Sequence, residues 1–234
     1  MKVSISQSAY LPWLGYFDRI IKSDIHIVLD HVSKDNSSKT NFTNRNKIRT
    51  PQGWSWLSVP LVKDKEDPEQ ALNKVRILDE HLWKRKHLNS IKHYYGKAKF
   101  YNTHEAFIHE LFQKDFMFLH ELNSFSTDYF MNFLQIETQL LKSSEMSPKA
   151  NKSDLILELC EKVGATSYIS GPFGRFYLNN QSFLDKGISI EYHDYVHPTY
   201  KQAYNGFEPY MSILDLVINE GENSRNIFTN LLNF

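Results

Sequence analysis

The stretch KVSISQSAYLPWLGYFDRIIKSDIHIVLD, residues 2–30, decides the fold. Residues 2–6 alternate apolar and polar side chains, the period of a half-buried strand. Leu14, Phe17, Ile20 and Ile21 then recur at helical spacing, and IHIVLD (25–30) is a compact β-branched run that reads as a second strand. Strand, helix and strand over about thirty residues make a βαβ unit, which brings parallel strands and a right-handed crossover. On the turn between the first strand and the helix stand Gln7, Ser8, Tyr10, Pro12, Trp13, Gly15 and Tyr16. That concentration of amide, hydroxyl and aromatic groups, with a proline and a glycine among them, asks for an explanation.

Outward from this unit the pattern repeats. WSWLSVPL (54–61) reads as a third strand, preceded by the polar run SKDNSSKTNFTNRNKIRTPQG (33–53), a loop longer than idle connections usually are. Residues 68–134 read as helices with wide apolar faces. IETQLL (136–141) returns to strand, and SDLILELCEKVGA is a helix with Ser153 as N-cap and Gly164 as its stop. TSYIS (166–170) and GISIEYHDY (187–195) are further strands, and SILDLVINEG (212–221) is a closing helix. The expectation is an α/β fold: a Rossmann-like, mostly parallel sheet with helices on both faces, forming one domain over 1–234 with a helical insert at about 68–134.

The 234 residues balance 27 Lys and Arg against 27 Asp and Glu, which speaks against a dedicated nucleic-acid binder. No run has the roughly 18 apolar residues of a membrane span, and MKVSISQSAY lacks the apolar core of a signal peptide. A cytoplasmic protein is expected. The one cysteine, Cys160, excludes an internal disulfide and sits at an apolar helical position, where it reads as a small buried hydrophobe.

In such a sheet ligands bind at the carboxyl ends of the strands, near the point where strand order reverses. Three segments are therefore expected to meet on one rim: 7–16, then 39–47 with Lys39, Asn44, Arg45 and Lys47, then 170–177 with Ser170, Gly171, Arg175 and Tyr177. Gln7 offers an amide to sugar hydroxyls, Tyr10, Trp13 and Tyr16 offer stacking faces, and Gly15 allows close backbone approach. The competing reading has Pro12 and Gly15 shape the helix entry while the aromatics fill core. Arg45 and Lys47 among asparagines suit the grip of a diphosphate or carboxylate. In SGPFGRFYL, Gly171 and Gly174 turn amides toward a ligand, or else form a tight turn with Phe173 and Phe176 packed inward. His193 and Asp194 alternate on a strand and leave no third ligand, so no metal site is read there. His197, close to Tyr200 and Gln202, is the general-base candidate, since histidine takes up protons at neutral pH.

Taken together, these segments resemble the WbqC-like protein family over nearly the whole chain. The likeness is carried by Q-x-x-YLPWLGYFDRI, NRNKI followed by WLSVP, W-x-x-KH ending at His87, YISGPFGRFYL, GI-x-I-x-Y and HPTYKQAYNGFEPYMSILDLVINEG. Ser8 departs from it, standing where the family usually has proline. The family is associated with O-antigen and other surface-polysaccharide gene sets, so the resemblance implies work on modified sugars. More weakly, Trp13-Leu14-Gly15-Tyr16 is similar in place to the H-x-G-H motif of a nucleotidyltransferase class, without its two histidines.

Residues and resemblance lead to one expectation with two alternatives. The first is a transferase of O-antigen or lipopolysaccharide biosynthesis that moves an acyl or aminoacyl group to the amine of a nucleotide-linked sugar. His197, Tyr200 and Gln7 form its expected catalytic set, and His87 and Gln202 join the binding residues named above. The alternatives are a divergent nucleotidyltransferase using ATP or another nucleotide, and a non-catalytic partner of a carbohydrate-pathway enzyme. A nucleotide-linked sugar is the expected partner, no cofactor beyond a nucleotide is called for, and the aromatic-rich insert offers a face for a homodimer.

Overall fold

A computed structural model describes residues 1–34, 42–78 and 81–229. Strand β1 (Lys2–Ser6), helix α1 (Leu14–Ile21) and strand β2 (Ile25–Val28) form the βαβ unit, with Val3 beside Ile25 and Ser6 beside Val28. An antiparallel hairpin follows, β3 (Arg45–Thr50) and β4 (Gly53–Ser58), then three helices, α2 (His81–Tyr95), α3 (Tyr101–Gln113) and α4 (Leu119–Phe133). The chain returns through β5 (Gln139–Lys142), α5 (Lys152–Lys162), β6 (Ser167–Ser170), α6 (Asn180–Asp185) and β7 (Ser189–Tyr192). It closes with α7 (Ile213–Glu220) and α8 (Asn223–Thr229). The main sheet runs in the order β5-β2-β1-β6-β7 with every pairing parallel. Strand order steps one way from β1 to β5 and the other way from β6 to β7, so the reversal falls between β1 and β6. This is a Rossmann-like, doubly wound sheet.

The alternation of β1 sets up its two faces. Val3 and Ile5, with Ile27, pack against Leu155, Leu159 and Cys160 of α5 and Phe183 of α6. Burial pushes the Cys160 thiol up to about 12, so it serves as an inert apolar group. On the other side Phe17 and Ile20 of α1 join Ile91, Ile108, Leu122, Phe130 and Leu216 in the larger core. Ser4 and Ser6 bracket the buried His26 ring there, at 2.6 Å from Nδ1 and 3.1 Å from Nε2.

The structure corrects several boundaries. Residues 45–58 form a separate two-stranded sheet rather than the end of a loop and a strand of the main sheet. The inward positions of β3 are Asn46, Ile48 and Thr50, so its alternation is hidden behind polar letters. Asn46 meets its burial by donating to the carbonyls of Tyr10 (3.2 Å) and Leu11 (2.6 Å). In the 68–134 region helix starts only at His81, after a 3-10 turn at Leu72–Lys74. The chain opens again between α3 and α4, where Ile77 N–H donates to the Met117 carbonyl and Leu119 N–H to the Val75 carbonyl. Asn151, not Ser153, precedes α5, and Ser153 Oγ instead accepts the Asn179 N–H at 2.9 Å. Phe173 and Phe176 point outward, 69% and 84% exposed, on a 3-10 turn at Pro172–Phe176. Among the described residues no helix is long and apolar enough to cross a membrane.

Buried histidines, among them His26, His87 and His104, give the fold a pH dependence. His87 Nδ1 accepts from the Tyr10 hydroxyl at 2.9 Å, His104 Nδ1 lies 2.7 Å from the Tyr129 hydroxyl, and burial lowers each to about 4. Unfolded, each titrates near 6.5. Between pH 6.5 and 4 the unfolded chain therefore binds more protons, and stability falls as pH falls through that window. Asp215, pushed up to about 6 by burial, offsets part of this by keeping its proton in the native state. Urea unfolding is expected to show lower stability at pH 4.5 than at pH 7. His87→Gln is expected to shrink that drop by about 2–3 kcal/mol, and an undiminished drop would refute the assignment.

Candidate functional site

A cleft of about 750 Å³ opens where strand order reverses, beyond the carboxyl ends of β1 and β6. The segments after β1, β6 and β7 all contribute to its walls.

The turn after β1 is held in an unusual shape. Leu11 has φ +43°, a left-handed conformation rare for leucine. The Asn46 amide fixes it through the two carbonyls described above. The Tyr10 N–H donates to the Phe42 carbonyl (2.9 Å), and the Pro12 carbonyl accepts the Ile213 N–H (2.7 Å). Trp13 is thereby delivered to the start of α1, with its indole folded back over Gly15. A Cβ at position 15 would come within 2.3 Å of that ring, which explains the glycine. Trp13 stands edge-on to Tyr195 (5.3 Å) and Tyr210 (5.5 Å), and the three make one aromatic wall.

Helix α1 supplies two charged groups from adjacent positions. Asp18 lies on the apolar stripe, four residues after Leu14 and three before Ile21, and is fully buried. Its Oδ2 accepts from Lys22 Nζ at 2.7 Å and from His193 Nε2 at 2.5 Å. A carboxylate only accepts, so His193 donates a proton from Nε2, and in the neutral ring the lone pair then lies on Nδ1. That Nδ1 has no partner among the described residues, and the ring, 7% exposed, lines the cleft. Arg19 also lines the cleft. Its Nη1 would stand only 2.9 Å from a Cβ at Gly171, and its Nε is buried without a hydrogen-bond partner.

The expected site residues fall into four groups. Gln7, Trp13, Gly15, Tyr16, Gly171 and Tyr177 line the cleft, with Gln7 Nε2 donating to the Ser33 carbonyl at 3.0 Å. Arg175 and Ser170 stand beside it: Arg175 grips Asp194 through both carboxylate oxygens (2.9 and 2.7 Å), and Ser170 Oγ donates to the Gly171 carbonyl. Tyr10 and His87 lie in the larger core, and Asn44 spans to the Val59 carbonyl. Arg45 and Lys47 sit on the hairpin, over the rings of Trp56 (4.4 Å) and Trp54 (4.2 Å). Lys39 lies outside the described residues.

The expected base and its neighbours are engaged elsewhere. His197 Nδ1 donates to the Pro198 carbonyl at 2.8 Å, and its ring packs among Tyr195, Tyr200, Phe207 and Tyr210. Tyr200 and Gln202 both donate to Asp215 Oδ2 in a buried network that also takes in Tyr95 and Arg49. Three segments do converge on a hollow, but among the described residues of 39–47 it is Phe42 and Thr43 that reach it. His193, Asp18 and Arg19 are cleft-side polar groups that the sequence reading does not select, His193 having been weighed only as a metal ligand. Asp18 was findable, since a carboxylate on a helix's apolar stripe announces a buried partner.

Gly15→Ala tests the packing of the turn. The added methyl has to displace the indole, and such overpacking costs about 1–3 kcal/mol. Chemical unfolding followed by tryptophan fluorescence is expected to show that loss together with a shifted native emission maximum. Wild-type stability and spectrum would contradict the stacked arrangement.

Comparison with known proteins bears on this geometry. A family model described as "WbqC-like protein family" matches residues 7–227. The chain is 32% identical over 222 residues to "Uncharacterized protein Rv1507c" of Mycobacterium tuberculosis (strain ATCC 25618 / H37Rv), covering 94% of each chain. No solved structure matches. A match spanning the cleft, both faces of the sheet and the closing helices is a match to the whole architecture, and the chain belongs to the WbqC-like protein family.

Proposed function

We propose that this cleft catalyses group transfer in surface-polysaccharide biosynthesis: acylation or aminoacylation of the amine of a nucleotide-linked sugar. The observation that carries the reading is the Asp18–His193 pair, a buried carboxylate bonded to one nitrogen of an imidazole that lines the cleft, the other nitrogen having no hydrogen-bond partner among the described residues. In this scheme His193 Nδ1 accepts a proton from the sugar amine as it attacks the carbonyl carbon of an activated acyl donor. The C–N bond forms, the bond to the donor's leaving group breaks, and the proton passes from His193 to that leaving group. Asp18 holds the productive tautomer and stabilises the imidazolium that forms, the role a buried carboxylate plays behind a catalytic histidine. The Trp13–Tyr195–Tyr210 wall offers a stacking face, and Ser6 and Gln7 offer polar contacts to sugar hydroxyls.

This proposal moves the base from His197 to His193. His197 spends Nδ1 on a carbonyl and sits in an aromatic cluster, whereas His193 has a carboxylate behind it and the cleft in front. Membership of the family supports the sugar context.

A thermal-shift screen over nucleotide sugars, with ATP–magnesium as the competing ligand, identifies the substrate. Stabilisation by ATP–magnesium alone would replace this reading with nucleotidyl transfer. With a stabilising nucleotide sugar and an acyl donor in hand, His193→Asn is expected to lower kcat by about 10²–10⁴-fold with little change in KM. His197→Phe, which keeps the ring packing, is expected to leave kcat within about tenfold. Full turnover by His193→Asn would remove it from the mechanism.

A further inference from the structure

We infer that Arg19 is the anion-binding residue of the cleft and that it holds a phosphoryl oxygen of the substrate's nucleotide portion. The inference rests on the proposal that the cleft receives a nucleotide-linked sugar. Its starting point is an imbalance of charge. A guanidinium stays ionised and offers five N–H donors. Arg19 is half-buried, its Nε is shielded from solvent and meets no acceptor, and no carboxylate among the described residues forms an ion pair with it. Leaving such a donor unmet is costly.

Other cations nearby are matched. Lys22 is paired with Asp18 and Arg175 with Asp194, so the one carboxylate among the described lining residues is already engaged. Arg49 donates to the carbonyls of Thr50, Gly53 and Asn205 and to Gln202 Oε1. Arg45 and Lys47, the expected phosphate holders, lie over indole rings on the hairpin.

The surroundings of Arg19 suit an incoming anion. Tyr168 and Tyr177 line the same cleft, and burial raises both phenols while the Arg19 charge draws them back, so both stay protonated and able to donate. Gly171 leaves space that a side chain would close, with its hypothetical Cβ 2.9 Å from Arg19 Nη1. Asp18 and Arg19 are consecutive on α1, so one helix carries both the carboxylate behind the base and the anion grip. A diphosphate held by Arg19 would set the attached sugar between the aromatic wall and His193.

The test uses the wild-type protein, with pyrophosphate, inorganic phosphate and malonate as probes. Phenylglyoxal labelling of arginines, read by peptide mass spectrometry, is expected to show pyrophosphate protecting Arg19 while Arg45 labels as before, with malonate giving no protection. Arg19→Gln is expected to weaken pyrophosphate binding by about tenfold or more in calorimetry, and Arg19→Lys to recover part of it. His193→Asn is expected to bind pyrophosphate like wild type, which separates this claim from the choice of base. Absence of pyrophosphate binding to the wild type, protection of Arg45 in place of Arg19, or equal protection by malonate would each overturn the assignment. If Arg19→Gln does not fold, the labelling of the wild type decides alone.

Discussion

A carboxylate with no exposed surface needs donors, and Asp18 is met at Oδ2 from two directions, while its Oδ1 has no hydrogen-bond partner among the described residues. Lys22 reaches it from one turn along α1, and His193 reaches it from the segment after β7. Removing water from a charge costs several kcal/mol unless partners replace it, and deleting one partner of such a set typically costs about 3–5 kcal/mol. The contact therefore ties α1 to the segment after β7 at the edge of the cleft. It also fixes the imidazole's tautomer.

The second polar centre is architectural. Asp215 collects the hydroxyls of Tyr95 and Tyr200 and the amide of Gln202, while Arg49 joins Gln202 to three backbone carbonyls. This network links the β3–β4 hairpin to α2, α7 and the segment before α7. The hairpin in turn presents Asn46 to the Tyr10 and Leu11 carbonyls and so holds the turn that carries Trp13. Many of the polar groups in the family-like segments serve this chain of support, one step removed from the cleft.

The sheet was legible because its strands carry apolar alternation and its first helix an unmistakable stripe, both dictated by which face meets the core. The hairpin was not, because the inward positions of β3 include a threonine and an asparagine, and the asparagine's burial is satisfied by hydrogen bonds to distant carbonyls that no local pattern reveals. The convergence of 7–16 with 171–177 followed from the rule for parallel sheets, which depends only on chain direction. Choosing among histidines did not. The letters around His193 and His197 look alike, and what separates them is a carboxylate 175 positions away on α1 against a carbonyl next door. Arg45 and Lys47 look like anion binders in the text, and only their placement over Trp56 and Trp54 says otherwise.

The length of chain between Asp18 and His193 has a consequence for how the protein comes into being. The βαβ unit that carries Asp18 is synthesised before its partner. The imidazole that completes the pair is made 175 residues later, and β7, which leads into it, stands at the sheet edge beyond β6. Parallel pairings across such separations form slowly, since the closure entropy is spent before the contacts repay it. Nascent chains can thus gain much of their secondary structure before Asp18 and His193 meet. The wall of the cleft that His193 lines is complete only once the segment after β7 has docked on α1.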